Sequence, residues 1–128
     1  MSEREAYSWT ILQVVPRIER GERINIGAAV FSRRHEYLGL ELVVDEPRLK
    51  AFAPDLDLAE LRTQLDGLER VATGDAAAGR IAGMAPSDRF GFLAAPSSTI
   101  LQASPVHVGL CDDPAKALHR LVERYVRV

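Results

Sequence analysis

Residues 7–31 read YSWTILQVVPRIERGERINIGAAVF, and their pattern sets the fold class. Tyr7 to Val15 is rich in aromatic and β-branched residues and stops at Pro16, which is the signature of a strand. Arg17 to Arg23 is a charged loop around Gly21, and Ile24 to Phe31 is a second strand. Strict alternation puts Ile24, Ile26, Ala28 and Val30 on its core face and Asn25, Gly27, Ala29 and Phe31 on the other. Ser32 to Glu36 is a short connection to a third strand. There Leu38, Leu40, Leu42 and Val44 face one way, and Tyr37, Gly39, Glu41 and Val43 the other. Three sequential strands with short connections predict an antiparallel meander.

Farther along, the period changes. Asp57 and Glu60 are spaced as a capping box, and Leu58, Leu61, Leu65, Leu68 and Ala72 recur at helical spacing up to Gly74. Residues 74–88, with Gly74, Gly79, Gly83 and Pro86, read as a loop with little fixed structure. Arg89 to Ala95 and Thr99 to Gln102 are short strand candidates. A second helix closes the chain, with Asp113 as its cap and Pro114 in its first turn. Leu118, Leu121, Val122 and Tyr125 form its apolar face, and Arg120, Arg124 and Arg127 suit the negative end of its dipole. Residues 8–16 (SWTILQVVP) are echoed at residues 97–105 (SSTILQASP), and nothing flanking the match continues it. Two strands of similar environment explain the echo better than a duplicated domain does. Were they sheet neighbours, a C-terminal strand would join the meander. The expected fold is therefore α+β in a single domain over 1–128: an antiparallel sheet starting with a three-stranded meander, packed against two helices.

Composition narrows the function classes. A chain of 128 residues can bury a core without disulfides or metal, and its one cysteine, Cys111, rules out an intrachain disulfide. A reducing, cytoplasmic setting is expected: MSEREAYSW has no apolar signal core, and no apolar run is long enough to span a membrane. The net charge is −2, with the acidic groups concentrated between residues 35 and 69. Arg17, Arg20, Arg23, Arg33 and Arg34 are interleaved with Glu19, Glu22 and Glu36 instead of forming a basic stripe, which argues against nucleic-acid binding.

Pro16, Arg20-Gly21-Glu22 and Asn25-Ile26-Gly27 carry a family resemblance, supported by Arg89-Phe90, Pro96 to Thr99 and the run from Ser104 to Gly109. On these residues the chain resembles the domain-of-unknown-function family 3037 over nearly its whole length. The family has no established activity. Its bacterial members are often encoded beside kinases of the HipA type, and the resemblance implies an accessory or regulatory partner of such a kinase.

The residues themselves leave two readings of the site open. An amide inside an apolar strand costs free energy unless it is hydrogen-bonded, so Asn25 has a specific task. In the functional reading Asn25, Gly27, Ala29 and Gly39 floor a shallow groove rimmed by Glu22, Arg20 and Arg23. In the structural one the C-terminal half covers this face, and Asn25 ties down its backbone. No H-E-x-x-H, C-x-x-C, D-x-D or phosphate-loop pattern occurs, and no cofactor is called for. His107 and Cys111, four residues apart, are the only Cys/His neighbours, and an inert thiol is the simpler account. Two functions compete. The first is a non-catalytic binding or accessory module with a protein partner, using Arg17, Arg20 and Arg23 for electrostatic orientation and Trp9 as an apolar anchor; a homo-oligomer is compatible with it. The second is a metal-dependent hydrolase or nuclease in which Glu22, Asn25 and His107 converge.

Overall fold

The computed structural model describes residues 4–96, 98 and 100–128. The architecture is α+β, a five-stranded antiparallel sheet with four helices. The strands are β1 (Glu5–Val14), β2 (Ile24–Ser32), β3 (Tyr37–Leu42), β4 (Leu101–Ala103) and β5 (His107–Cys111). The helices are α1 (Glu46–Phe52), α2 (Leu58–Thr73), α3 (Pro86–Leu93) and α4 (Pro114–Tyr125). The meander is present as β1-β2-β3. On the other side of β1, its C-terminal half pairs with β4 and its N-terminal half with β5. The echoed segments are neighbours in the sheet: Gln13 lies opposite Gln102, and Val14 opposite Leu101.

Local chemistry explains the helices. Asp45, Asp57 and Asp113 are extended residues whose carboxylates accept main-chain N–H groups at the starts of α1, α2 and α4. Gly74 ends α2 in the left-handed region at φ 75°, where its N–H reaches back to the carbonyls of Arg70 and Val71. Four helices form where two were expected. The turn around Asp45-Glu46-Pro47 opens α1, because Pro47 falls in the first turn, where a missing N–H costs nothing. Residues 89–95 belong to α3 and the turn after it, not to a strand. Their buried side chains, Phe90 and Leu93, are spaced by three, which is helical, and Pro86 starts the helix. Residues 76–83 are 3-10 turns kinked at Gly79 instead of an irregular loop. The strand expected at 99–102 is shifted to Leu101–Ala103, with Ser97 and Thr99 outside the described residues.

The sheet carries a core on each face. Leu12, Val14, Ile24, Ile26 and Ala29 pack with Leu49, Leu61, Leu65, Leu68, Val71, Phe90 and Leu93 from α1, α2 and α3. Ile11, Ala28 and Val30 pack on the other face with Leu118, Leu121 and Val122 of α4 and with Val126 beyond it. The alternation expected for β2 therefore fails midway. The β1–β2 register shifts between Leu12, opposite Gly27, and Gln13, opposite Asn25, which leaves Ile26 as an extra residue. This bulge reverses the side-chain parity, so Ile24 and Ile26 face α2 while Ala28 and Val30 face α4.

Candidate functional site

The residues singled out in the sequence separate into three places. Arg20 and Glu22 lie on the β1–β2 loop, where Ile18–Arg20 makes one 3-10 turn closed by Gly21 at φ 70°. Arg20 forks onto Glu22, with Nε and Nη2 each donating to a carboxylate oxygen, and this pairing holds the Glu22 carboxyl below its ordinary range. With Pro16 and Arg17 they form one wall of a cleft of about 400 Å³. The opposite wall comes from the α1–α2 connection, with Asp55 and Asp57, and from Glu60. The lining is therefore of mixed charge, with Arg17, Arg20 and Glu22 on the loop side and Asp55, Asp57 and Glu60 on the other.

Arg23 and Asn25 belong to a polar chain that runs inward. Arg23 Nη1 donates to Gln13 Oε1 at 3.2 Å, Gln13 Nε2 donates to Asn25 Oδ1 at 3.0 Å, and Asn25 Nδ2 donates to the Tyr125 carbonyl at 3.0 Å. Tyr125 is the last residue of α4, and one of the carbonyls that a helix leaves unpaired at its end is met by this amide. Arg48 of α1 takes the next carbonyl, that of Val126, at 3.2 Å. Asn25 therefore fastens the end of the helix that covers the sheet, which is the structural reading of this residue. Gly27 is no groove floor. A Cβ there would stand 2.6 Å from the Glu41 carbonyl oxygen and from Leu42 Cδ2, so β2 and β3 close tightly only because Gly27 has no side chain. The Tyr37 ring occupies the corresponding space at Gly39.

His107 lies elsewhere, on β5 opposite Trp9. Its ring centroid is 4.6 Å from that of Trp9, and the other neighbour of Trp9 is Tyr125, at 5.7 Å and nearly parallel. The Arg124 guanidinium lies 5.4 Å from the centre of the Tyr125 ring. Trp9, Tyr125 and Arg124 border a groove of about 560 Å³ that is also lined by Tyr7, Ala117, Arg120, Leu121 and Glu123. Trp9 is half-buried, and Tyr125 is 40% exposed. Odd-numbered side chains of β1 and the last turns of α4 build this groove. Trp9 and Tyr125 each stand out in the sequence, but nothing in their spacing shows that they stack.

Glu22, Asn25 and His107 do not converge: each is engaged by a different set of neighbours. Among the described residues, no three His, Cys, Asp or Glu side chains lie close enough to hold a metal ion. The His107 and Cys111 pair also dissolves, since four residues along an extended strand span about 13 Å. Cys111 is buried, and that burial pushes its thiol pKa up, away from the reactive thiolate.

No helix among the described residues is long and apolar enough to cross a membrane. Comparison with curated proteins and with solved structures returns no match. The Arg20-Gly21-Glu22 turn, the Asn25 anchor and the Ser104–Gly109 segment all fall within a family model that matches residues 9–126, and the chain belongs to that family, described as a protein of unknown function (DUF3037).

Proposed function

We propose that this protein is a non-catalytic accessory module that binds another protein in the cytoplasm, with a HipA-type kinase as the first partner to test. The observation that carries the proposal is the groove between β1 and α4. Trp, Tyr and Arg are the residue types in which binding energy concentrates, and Trp9, Tyr125, Arg120 and Arg124 meet there around apolar Leu121. The Trp9 ring packs against both His107 and Tyr125, which limits the side-chain freedom left to lose on binding. Arg17, Arg20 and Arg23, at the end of the sheet, supply a field that orients an approaching acidic surface. The single cysteine fits a reducing compartment.

Co-expression of the tagged chain with a HipA-type kinase, followed by purification under moderate salt, tests this reading. A stoichiometric complex is expected, and it should be lost in Trp9→Ala and in Arg124→Glu while the circular dichroism of each variant stays that of the parent. Arg124 is exposed, so its replacement leaves the core intact. A complex indifferent to both substitutions would remove the groove from the interface. Failure to co-purify would exclude the kinase as the partner.

A further inference from the structure

We infer that the outer edge of β5 is a self-association site, at which two copies of this chain pair antiparallel about Val108 and join their sheets. The direction of the main-chain groups comes first. Ala6 offers its carbonyl to Ser32 on β2, whereas Ile11 exchanges bonds with Ser104 on the opposite side. Odd-numbered residues of β1 therefore point their N–H and C=O groups toward β4 and β5. In the register that pairs Tyr7 with Gly109 and Trp9 with His107, it is His107, Gly109 and Cys111 that answer them. Val108 and Leu110 are left with N–H and C=O groups pointing away from the sheet, and Arg4 Nη2 reaches the Leu110 carbonyl at 3.4 Å.

Val106, Val108 and Leu110 carry exposed apolar side chains, at 48%, 71% and 57% of full exposure. They lie on the face that α1, α2 and α3 cover farther along, beside Ala6 and Ser8, and remain exposed there. Sheet edges are ordinarily guarded by charge, by bulges or by a covering segment. The segment from Ser104 to Cys111 contains no Asp, Glu, Lys or Arg; the irregularity falls just before the strand, at Pro105 and Val106, where the three steps from Ser104 to His107 lie opposite the two from Ile11 to Trp9.

The segment is complementary to itself. Antiparallel pairing centred on Val108 sets it opposite the other copy's Val108, and sets Leu110 opposite Val106, the residue just before the strand. The apolar side chains then merge into one strip across the two-fold axis. On the reverse face His107 falls opposite Gly109, over which the Tyr7 ring of the same copy already lies. No charge opposes a like charge in this register: Asp112 falls opposite Ser104. Each copy contributes on the order of 300 Å² of apolar strip, against about 800 Å² per partner in a standard interface, so the dimer dissociates on dilution.

Sedimentation velocity of the whole chain over a wide concentration range tests the inference, with Val108→Lys and Trp9→Ala as variants. The parent should shift with concentration from 14.1 kDa toward twice that mass. Val108→Lys, which sets two ammonium groups against each other at the two-fold axis, should stay monomeric throughout with an unchanged melting temperature. Trp9→Ala should still dimerise, which separates this surface from the groove proposed for a partner protein. A parent monomeric at the highest concentration overturns the inference, as does a dimer that survives Val108→Lys or one lost only in Trp9→Ala.

Discussion

β3 and β5 both end the sheet, and each has a row of main-chain groups that no further strand takes among the described residues. All six residues of β3 are half-buried, and Glu41 in mid-strand lies 3.6 Å from His119 of α4. Leu38, Leu40 and Leu42 pack onto the core under α2, and Tyr37 onto the core under α4. β5 is packed on one face only, and on that face Cys111 is buried while His107 stays exposed. His107 lies against Trp9, Gly109 lies under the Tyr7 ring and Cys111 is buried, while Val106, Val108 and Leu110 stand uncovered. The two edges share the same hydrogen-bonding demand, so what separates them is the cover above and below. An edge flanked by packed side chains and a charge is finished; an apolar one covered on one side is available.

Removing cover from the β3 side should have the largest effect on stability. Leu61 on α2 is fully buried, and Leu61→Ala should cost about 2–5 kcal/mol through lost contacts and a residual cavity. Val108→Ala, on the open edge, should stay within about 0.5 kcal/mol of the parent, and urea denaturation of the pair measures the contrast directly. Equal losses in the two would mean that β5 is covered after all.

A smaller change should follow from loosening the helix over β3. Asn25→Ala leaves the Tyr125 carbonyl and the Gln13 amide each without a partner, at about 1 kcal/mol. Amide exchange should quicken in the last turn of α4 and along β3, and leave β5 unchanged. Uniform quickening across the sheet would show that the anchor serves the whole fold.

The smallest effect concerns the packed face of β5. The Cys111 thiol is raised by burial, so the folded state favours its protonated form. Its contribution to stability is fully present below the ordinary thiol pKa and is lost as pH rises through the folded value. Alkylation of Cys111 in the folded chain should therefore lag far behind that of the denatured chain at mildly alkaline pH. Rapid labelling under native conditions would show that β5 opens from both sides.

Much of this was legible from residue spacing. The meander, the alternation of β3, α2 with its Asp57 cap and α4 with its Asp113 cap all follow from apolar period and turn chemistry. The bulge at Ile26 was not legible, because alternation on paper continues through an extra residue that only pairing with β1 exposes. α3 was misread as a strand because RFGFLAA is short and apolar at both periods, and only burial of Phe90 and Leu93 separates them. In the candidate site, the pairing of Arg20 with Glu22 is local and could be anticipated. The link from Asn25 to Tyr125 spans a hundred residues, and no local pattern encodes it. β5 stayed hidden for the opposite reason: its outward side chains, Val106, Val108 and Leu110, are apolar where a surface strand would alternate with polar groups.

β1 lies at the centre of the sheet and bonds to both β4 and β5, so residues 5–14 must wait for residues 101–111 before their second side is satisfied. During synthesis the meander can close while β1 still presents a bare edge to the emerging chain. High sequence separation of this kind slows folding and lengthens the time in which a wrong strand can add. The strand that wins that position, Leu101–Ala103, lies in the stretch that echoes residues 8–16 of the strand it joins. Two nascent chains side by side on one messenger would each carry both copies, and exchange of this strand between them is the misfolding hazard that the topology creates.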